Sequence, residues 1–125
     1  MKLLLDTHIL VWVMQDAKAL KPKARHLIDA ADSVHVSSVV LWEVAIKAAL
    51  GKLKIDSDLL DAMLLRMAFK PLPVSWQHAR ALRNLPSLHR DPFDRMLIAQ
   101  AVSEPMHLLT SDAALAAYGP HVTVV

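Results

Sequence analysis

Short apolar segments alternate with segments of helical periodicity along the chain of 125 residues. Residues 3–5 form an apolar run that stops at Asp6, which predicts a buried strand. Apolar positions after Pro22 follow the i, i+3, i+4, i+7 spacing of an amphipathic helix. The same patterns predict further strands over 33–37, 107–110 and 121–125, and helices over 9–14, 22–31, 38–50, 58–67, 75–83, 91–104 and 112–118.

Residues 69–74 are extended but contain Pro71 and Pro73, so a strand here belongs at a sheet edge, where a missing N–H is tolerated. Short apolar strands that alternate with helices are typical of parallel βαβ units. The pattern therefore predicts an α/β fold with helices on both faces of a parallel sheet. No internal repeat or linker interrupts it, so we expect residues 1–125 to form one domain.

Composition narrows the class of protein. The chain is 54% hydrophobic, has a mean hydropathy of +0.33 and contains no cysteine, which excludes disordered proteins, disulfide scaffolds, thiolate zinc sites and cysteine nucleophiles. The apolar excess predicts a surface for a partner chain or a second copy. Asp6 interrupts the apolar N-terminus, and the apolar run over 9–14 is far shorter than the about 20 residues that span a bilayer. We therefore expect a soluble, cytoplasmic protein without a membrane partner.

Four acidic residues are candidates for chemistry. Asp6 directly follows a predicted strand and Asp112 lies two residues after another, and ligands of parallel sheets bind beyond the carboxyl ends of the strands. Glu43 lies in an otherwise apolar helical segment, which favours a pocket because an unpartnered buried carboxylate is costly. Asp94 lies near the start of the helix over 91–104.

Each acid also has a purely structural explanation. Asp6 could end a strand and open a turn, and Glu43 could pair with Lys47 at the i+4 position of a surface helix. Asp94 and Asp112 could favour helix N-termini. For Asp91, which precedes a proline, helix capping is the favoured interpretation.

If the four carboxylates converge, they repel one another unless a hard cation lies between them. Oxygen ligands of this kind suit Mg²⁺ or Mn²⁺. Such a cation polarises a phosphate and activates water, so the set indicates metal-dependent hydrolysis of a phosphodiester.

Four segments carry recognisable motifs, in this order: residues 3–12 (LLLDTHILVW), residues 37–47 with Trp42-Glu43, residues 89–101 (HRDPFDRMLIAQA) and residues 108–112 (LLTSD). Together they resemble PIN-domain ribonucleases, most closely the VapC-type toxins of bacterial toxin-antitoxin pairs. The resemblance covers essentially the whole chain. It implies a three-layer α/β/α fold with a parallel five-stranded sheet.

The resemblance also implies a function and a site. A Mg²⁺- or Mn²⁺-dependent endoribonuclease toxin would hydrolyse RNA with metal-activated water in an acidic pocket. The residues that would hold the cation are Asp6, Glu43, Asp94 and Asp112. The residues that match supporting positions of the family are Thr7, Thr110 and Ser111, together with Asp91, whose role is less defined. The implied partners are the RNA substrate, a second copy of the chain, and a small antitoxin whose tail enters the acidic groove.

Other polar and aromatic residues give weaker signals. None of the seven histidines has a metal-binding spacing, so we interpret them as surface or packed residues, although His8 and His89 flank the acidic segments and could touch substrate. We expect core packing of the three tryptophans, Trp12, Trp42 and Trp76. The basic residues nearest the motifs could either steer a phosphate backbone or form a solvated face; they are Lys47, Lys52, Lys54, Arg90 and Arg95.

Two other functional classes fit the length and fold. A receiver-like phosphoacceptor domain would need an acidic pair after the first strand, but Asp6 is followed by Thr7 and His8. It would also need a late Lys-Pro, and Lys70-Pro71 comes in mid-chain. A module that only binds RNA or protein would use its acids structurally, and chelation of metal would not affect it.

Overall fold

The structure, a computed structural model, describes all 125 residues as a three-layer fold around one parallel sheet. The sheet has the order β3-β2-β1-β4-β5, and every pair of neighbours is parallel. Its strands are β1 (Lys2–Leu5), β2 (Ser33–Ser37), β3 (Lys70–Leu72), β4 (His107–Thr110) and β5 (Val122–Val124). The predicted α/β class and the five-stranded parallel sheet are confirmed.

Six α-helices cover the two faces of the sheet. They are α1 (Thr7–Gln15), α2 (Pro22–Ala30), α3 (Ser38–Ala49), α4 (Ser57–Arg66), α5 (Trp76–Ala81) and α6 (Pro92–Ser103). Two 3₁₀ turns, Leu82–Asn84 and Ala113–Tyr118, complete the regular structure. The longest helices have 12 residues, and none has the length and apolarity needed to cross a membrane.

The central strands are buried on both faces, which explains their uninterrupted apolar sequences. Leu3, Leu4 and Leu5 of β1 and Leu108 and Leu109 of β4 are all fully buried. Side chains alternate between the two faces of a strand, so these runs supply both layers of the core at once. The core cluster extends from them to apolar residues of the flanking helices.

The edge position predicted for the proline-containing segment is confirmed. β3 pairs only with β2, and Pro71 lies opposite Val36 in that pairing. Proline cannot donate to a second neighbouring strand, so a central position for this segment would leave a hydrogen bond unmade.

Two of the predicted helices end or wind differently from the prediction. The helix predicted over 75–83 ends at Ala81 and continues as the 3₁₀ turn Leu82–Asn84. The segment predicted as a helix over 112–118 is the 3₁₀ turn Ala113–Tyr118. This turn ends after six residues at Gly119, whose φ of 102° lies outside the helical range.

The expected core packing of the tryptophans is wrong for two of the three. Trp42 is 62% exposed and Trp76 is 83% exposed, whereas Trp12 is half-buried and packs against the core. The buried face of α3 contains Val39, Val40, Glu43 and Val44. Trp42 lies off that face, although its sequence surroundings are apolar.

The order of the sheet places a topological switch point between β1 and β4. The chain proceeds from β1 outward to β2 and β3, then returns to the opposite side of β1 to form β4 and β5. Connections leave β1 and β4 in opposite directions, so a crevice opens beyond their carboxyl ends. Asp6 and Asp112 come just after these two strands.

Candidate active site

All four predicted acids line one cavity of about 420 Å³ at the switch point. The residues that line it are Asp6, His8, Trp12, Glu43, Lys47, His89, Asp91, Asp94, Ser111 and Asp112. They come from α1, α3, α6 and the loops after β1 and β4 and before α6. Segments that are far apart in sequence therefore contribute acids to one place.

Asp6 is buried at the floor of this cavity and is held through both oxygens. Its Oδ1 accepts the N–H of Thr7 at 2.7 Å, which caps α1, and its Oδ2 accepts the hydroxyl of Thr110 at 2.6 Å. Burial raises the pKa of the Asp6 carboxyl above its usual value, and these two hydrogen bonds oppose the rise. Asp6 therefore both caps α1 and lines the cavity.

Glu43 is 4% exposed and lies on the inward face of α3. Its Oε1 accepts the hydroxyl of Thr7 at 2.6 Å, and its Oε2 lies 2.5 Å from Lys47 Nζ. The predicted pocket and the alternative i+4 pair with Lys47 are thus both present. The hydrogen bond to Glu43 raises the pKa of Lys47, so its ammonium stays charged beside the cavity.

Asp91 caps α6, as the Asp-Pro sequence predicted. Its Oδ1 accepts the N–H groups of Phe93 at 2.8 Å and of Asp94 at 3.2 Å. Asp91 also lines the cavity, so the cap adds negative charge to the site.

Asp94 experiences the strongest unfavourable electrostatics of the site. Its side chain is 16% exposed and makes no hydrogen bond within the protein. The neighbouring carboxyls are Asp6, Asp91, Glu43 and Asp112. Burial is the largest cause of a raised pKa at Asp94, and the negative charges of these carboxyls act in the same direction; together they raise the pKa to about 7. A carboxyl of this kind lacks a positive partner.

Asp112 is the most open of the four acids, with a side chain 44% exposed. Its Oδ1 accepts the N–H of Ala114 at 3.0 Å and so caps the 3₁₀ turn, and its own N–H donates to Thr110 Oγ1 at 3.1 Å. The Thr110 hydroxyl therefore hydrogen-bonds to both Asp6, which follows β1, and Asp112, which follows β4. Of the predicted supporting residues, Thr7 and Thr110 contact acids directly, whereas Ser111 lines the cavity without a hydrogen bond to them.

His89 is closer to the acids than the sequence reasoning anticipated. Its Nε2 lies 3.5 Å from Asp112 Oδ2 and 3.8 Å from Asp94 Oδ2. One potential ligand atom from each of the three residues falls within 4.8 Å of the others. In the sequence, only the position of His89 in the segment 89–95, next to Asp91 and Asp94, indicated that it could belong to the site. The spacing of the histidines gave no such indication.

Lys47 alone of the five candidate basic residues lines the cavity. Arg95 is directed elsewhere, because its Nη1 donates to Pro86 O at 3.0 Å and to Tyr118 Oη at 3.1 Å.

The donor set fits a hard divalent cation. Carboxylate oxygens dominate the cavity, and Lys47 is paired with Glu43 alone. Mg²⁺ and Mn²⁺ favour such oxygen ligands, and a divalent charge here would relieve the repulsion that raises the pKa of Asp94.

A parallel sheet with a crevice at its switch point is a recurrent binding-site arrangement of α/β proteins, and here the crevice is acidic. Comparisons with known proteins identify the family. The family model described as PIN domain matches residues 3–119. The chain belongs to the PIN-domain family, whose members are nucleases, so the receiver-like alternative does not apply. A search of curated protein sequences finds no match.

Solved structures show the same fold at low sequence identity. VapBC2 from Rickettsia felis, bound to a DNA fragment from its promoter, is 19% identical with a TM-score of 0.74 and covers 100% of this chain and 98% of its own. DNA-bound VapBC from Salmonella typhimurium is 16% identical with a TM-score of 0.70, covering 100% and 97%. FitAcB from Neisseria gonorrhoeae is 18% identical with a TM-score of 0.63, covering 96% and 95%. At this identity the likeness shows the fold alone.

Proposed function

We propose that the chain is a Mg²⁺- or Mn²⁺-dependent endoribonuclease and the toxin of a toxin-antitoxin pair. The observation that carries the proposal is the meeting of Asp6, Glu43, Asp94 and Asp112 in one cavity at the switch point of the sheet. Membership of a nuclease family supports phosphodiester hydrolysis. Cytoplasmic location, expected from the sequence, accords with an RNA substrate.

The four acids would hold the cation, and neighbouring side chains keep two of them oriented. When bound, the cation supplies polarisation of a phosphate oxygen and a lowered pKa for a water molecule. The hydroxyls of Thr7 and Thr110 fix the rotamers of Glu43 and Asp6 by hydrogen bonds of 2.6 Å each. Prepositioned carboxylates need little rearrangement to bind a cation or to orient a water. Lys47 offsets the charge of Glu43 at the cavity wall.

A small antitoxin is the proposed protein partner. The solved structures that share the fold include a toxin-antitoxin complex from Klebsiella pneumoniae, 18% identical with a TM-score of 0.68 over 97% of this chain and 95% of its own. We propose that an antitoxin tail enters the acidic cavity of this chain. Basic side chains in such a tail would pair with the carboxylates and compete with the cation.

A homodimer is the second proposed assembly. An apolar cavity of about 490 Å³ lies between α3, α6, the 3₁₀ turn Leu82–Asn84 and the loop after β3. Its lining consists of Ser38, Val39, Trp42, Val74, Leu82, Pro92, Phe93 and Met96. Trp42 is largely exposed there and meets Phe93 edge to face, with ring centroids 5.1 Å apart. Exposed aromatic clusters of this size are typical of protein interfaces. Light scattering should give about twice the chain mass of 13.9 kDa, and Trp42→Lys should reduce it to one chain.

The activity is tested with purified protein freed of any partner. With Mg²⁺ or Mn²⁺ it should cut RNA internally, EDTA should stop the reaction, and Asp94→Asn should be inactive. The exposed Asp29 on α2 provides a matched control, Asp29→Asn, which should cut like the wild type. Cleavage by Asp94→Asn at the wild-type rate would refute the proposed site. RNA binding without cleavage, indifferent to EDTA, would establish the non-catalytic binding module instead.

A further inference from the structure

The protonation of the His89 ring follows from one hydrogen bond. The backbone N–H of Asp91 donates to His89 Nδ1 at 3.2 Å. A ring nitrogen that accepts a hydrogen bond carries no proton, so the neutral ring carries its proton on Nε2. Nε2 faces the carboxyls of Asp94 and Asp112 at 3.8 and 3.5 Å and makes no hydrogen bond in the protein. The cavity wall therefore presents an unpaired N–H donor.

The same geometry disfavours His89 as a metal ligand. A ligating nitrogen must offer its lone pair, and at Nε2 that would move the proton to Nδ1. The Nδ1 proton would then face the N–H of Asp91, so two hydrogen-bond donors would oppose each other. Proximity of His89 to Asp94 and Asp112 is thus explained by attraction between a donor and carboxyl oxygens, without a nitrogen ligand in the cation site.

The loop that carries His89 is held by a phenol outside the cavity. Tyr118 Oη accepts the backbone N–H of His89 at 3.0 Å and a guanidinium N–H of Arg95 at 3.1 Å. The same hydroxyl donates to Pro86 O at 3.0 Å. Tyr118 ends the 3₁₀ turn that Asp112 caps, so this hydroxyl ties the His89 loop to the Asp112 side of the cavity.

We propose that His89 contacts the substrate: its Nε2–H donates to a non-bridging oxygen of the phosphodiester, and it does not ligate the cation. This inference rests on the proposed ribonuclease function. A phosphate that enters a cavity lined by carboxylates needs donors to offset repulsion, and the ammonium of Lys47 is already paired with Glu43. His89 supplies such a donor with a direction set by Asp91 and Tyr118.

The tautomer is tested without any activity measurement. Long-range ¹H–¹⁵N spectra of the metal-free protein at pH 8, assigned by comparison with His89→Gln, should show the Nε2–H form of His89. Dominance of the Nδ1–H form would overturn the inference. Mn²⁺ binding is then measured by titration with electron paramagnetic resonance. The wild type and His89→Leu should bind Mn²⁺ with affinities equal within about twofold.

Substrate contact is tested by RNA binding with Ca²⁺ in place of Mg²⁺, which keeps the cavity loaded with a divalent ion. Loss of one charge-assisted hydrogen bond should weaken the affinity of His89→Leu for an RNA oligonucleotide about tenfold. His89→Gln, whose amide keeps an N–H donor, should stay within about threefold of the wild type. The exposed His26 provides the control His26→Leu, which should bind like the wild type.

Three results would overturn the inference: unchanged RNA affinity of His89→Leu, a loss of Mn²⁺ affinity as large as that of Asp112→Asn, or no recovery in His89→Gln. Failure of the proposed function gives a different pattern, because the wild type itself would then not cut RNA, whether or not it binds RNA.

Discussion

Replacement of Asp94 by asparagine should stabilise the metal-free protein while it removes activity. Asp94 is nearly buried among other carboxyls and accepts no hydrogen bond, so its charge opposes folding when no cation is bound. Asparagine has almost the same shape and no charge. A substitution that raises stability and abolishes activity is expected where the active site holds charged groups that destabilise the fold but are needed for the reaction.

The magnitude follows from the pKa of Asp94. Its value of about 7 exceeds the ordinary 3.8, which at about 1.36 kcal/mol per pH unit sets an upper limit of about 4 kcal/mol for the penalty at pH 8. Solvent reaches a side chain that is 16% exposed and screens this interaction to about 2 kcal/mol. The favourable charge at the N-terminus of α6 offsets about 0.5 kcal/mol. We expect Asp94→Asn to gain about 1.5 kcal/mol, or about 5 °C in Tm.

The sign of the pH dependence is fixed by the raised pKa. Between pH 4 and pH 7 the folded state binds a proton at Asp94 that the unfolded state has released, so the penalty grows as the pH rises through this range. Below pH 4 both states are protonated, and above pH 7 both are charged. The advantage of Asp94→Asn should therefore be small at pH 4.5, rise to pH 7 and then remain constant.

Urea denaturation in EDTA across pH 4.5 to 8 measures this difference, with Asp29→Asn as the control. Saturating Mg²⁺ should then reverse the order, because ligand at 100 times its Kd stabilises the wild type by about 2.7 kcal/mol and binds the variant weakly. An Asp94→Asn variant no more stable than the wild type at pH 8, or an advantage that does not vary with pH, would refute the reasoning.

Three further substitutions test the supports of the site and the core. Thr110→Val removes the hydroxyl that donates to Asp6, so it should lower the free energy of unfolding, measured in urea, by about 1–2 kcal/mol. Thr110→Ser keeps the hydroxyl and should lose less than half of that, and equal losses would contradict the hydrogen-bond explanation. Tyr118→Phe should raise KM for RNA several-fold with kcat nearly unchanged, since it releases the loop of His89; a fall confined to kcat would argue against this. Leu108→Ala, in the fully buried centre of β4, should cost about 2–5 kcal/mol by thermal or urea denaturation while the folded fraction keeps its specific activity; a loss below about 1 kcal/mol would contradict the core assignment.

The elements were predictable from local signals. Apolar runs without alternation predicted the buried strands β1 and β4, and Pro71 predicted the edge position of β3. The Asp-Pro sequence predicted the cap of α6 at Asp91. Such features depend on neighbours in sequence, through backbone hydrogen bonds and side-chain periodicity, so one chain suffices to read them.

The candidate acids could be named from sequence, but their interactions could not. The Glu43 segment is apolar on all sides, and only the packing of α3 shows that Glu43 faces inward while Trp42 faces out. Likewise, the hydrogen bond from Thr7 to Glu43 joins residues 36 positions apart, and the hydrogen bond from Thr110 to Asp6 joins residues 104 positions apart. The place of His89 beside Asp112 depends in addition on how the loop before α6 meets the 3₁₀ turn through Tyr118.

By itself, the sequence determined the α/β class, the strand and helix order and which acids were available, because periodicity and capping are local properties of the chain. Only the tertiary structure decided that β1 lies beside β4 and that the four carboxyls share one cavity. It also decided that Asp94 is charged only with difficulty, because desolvation and the field of distant carboxyls depend on separations in space.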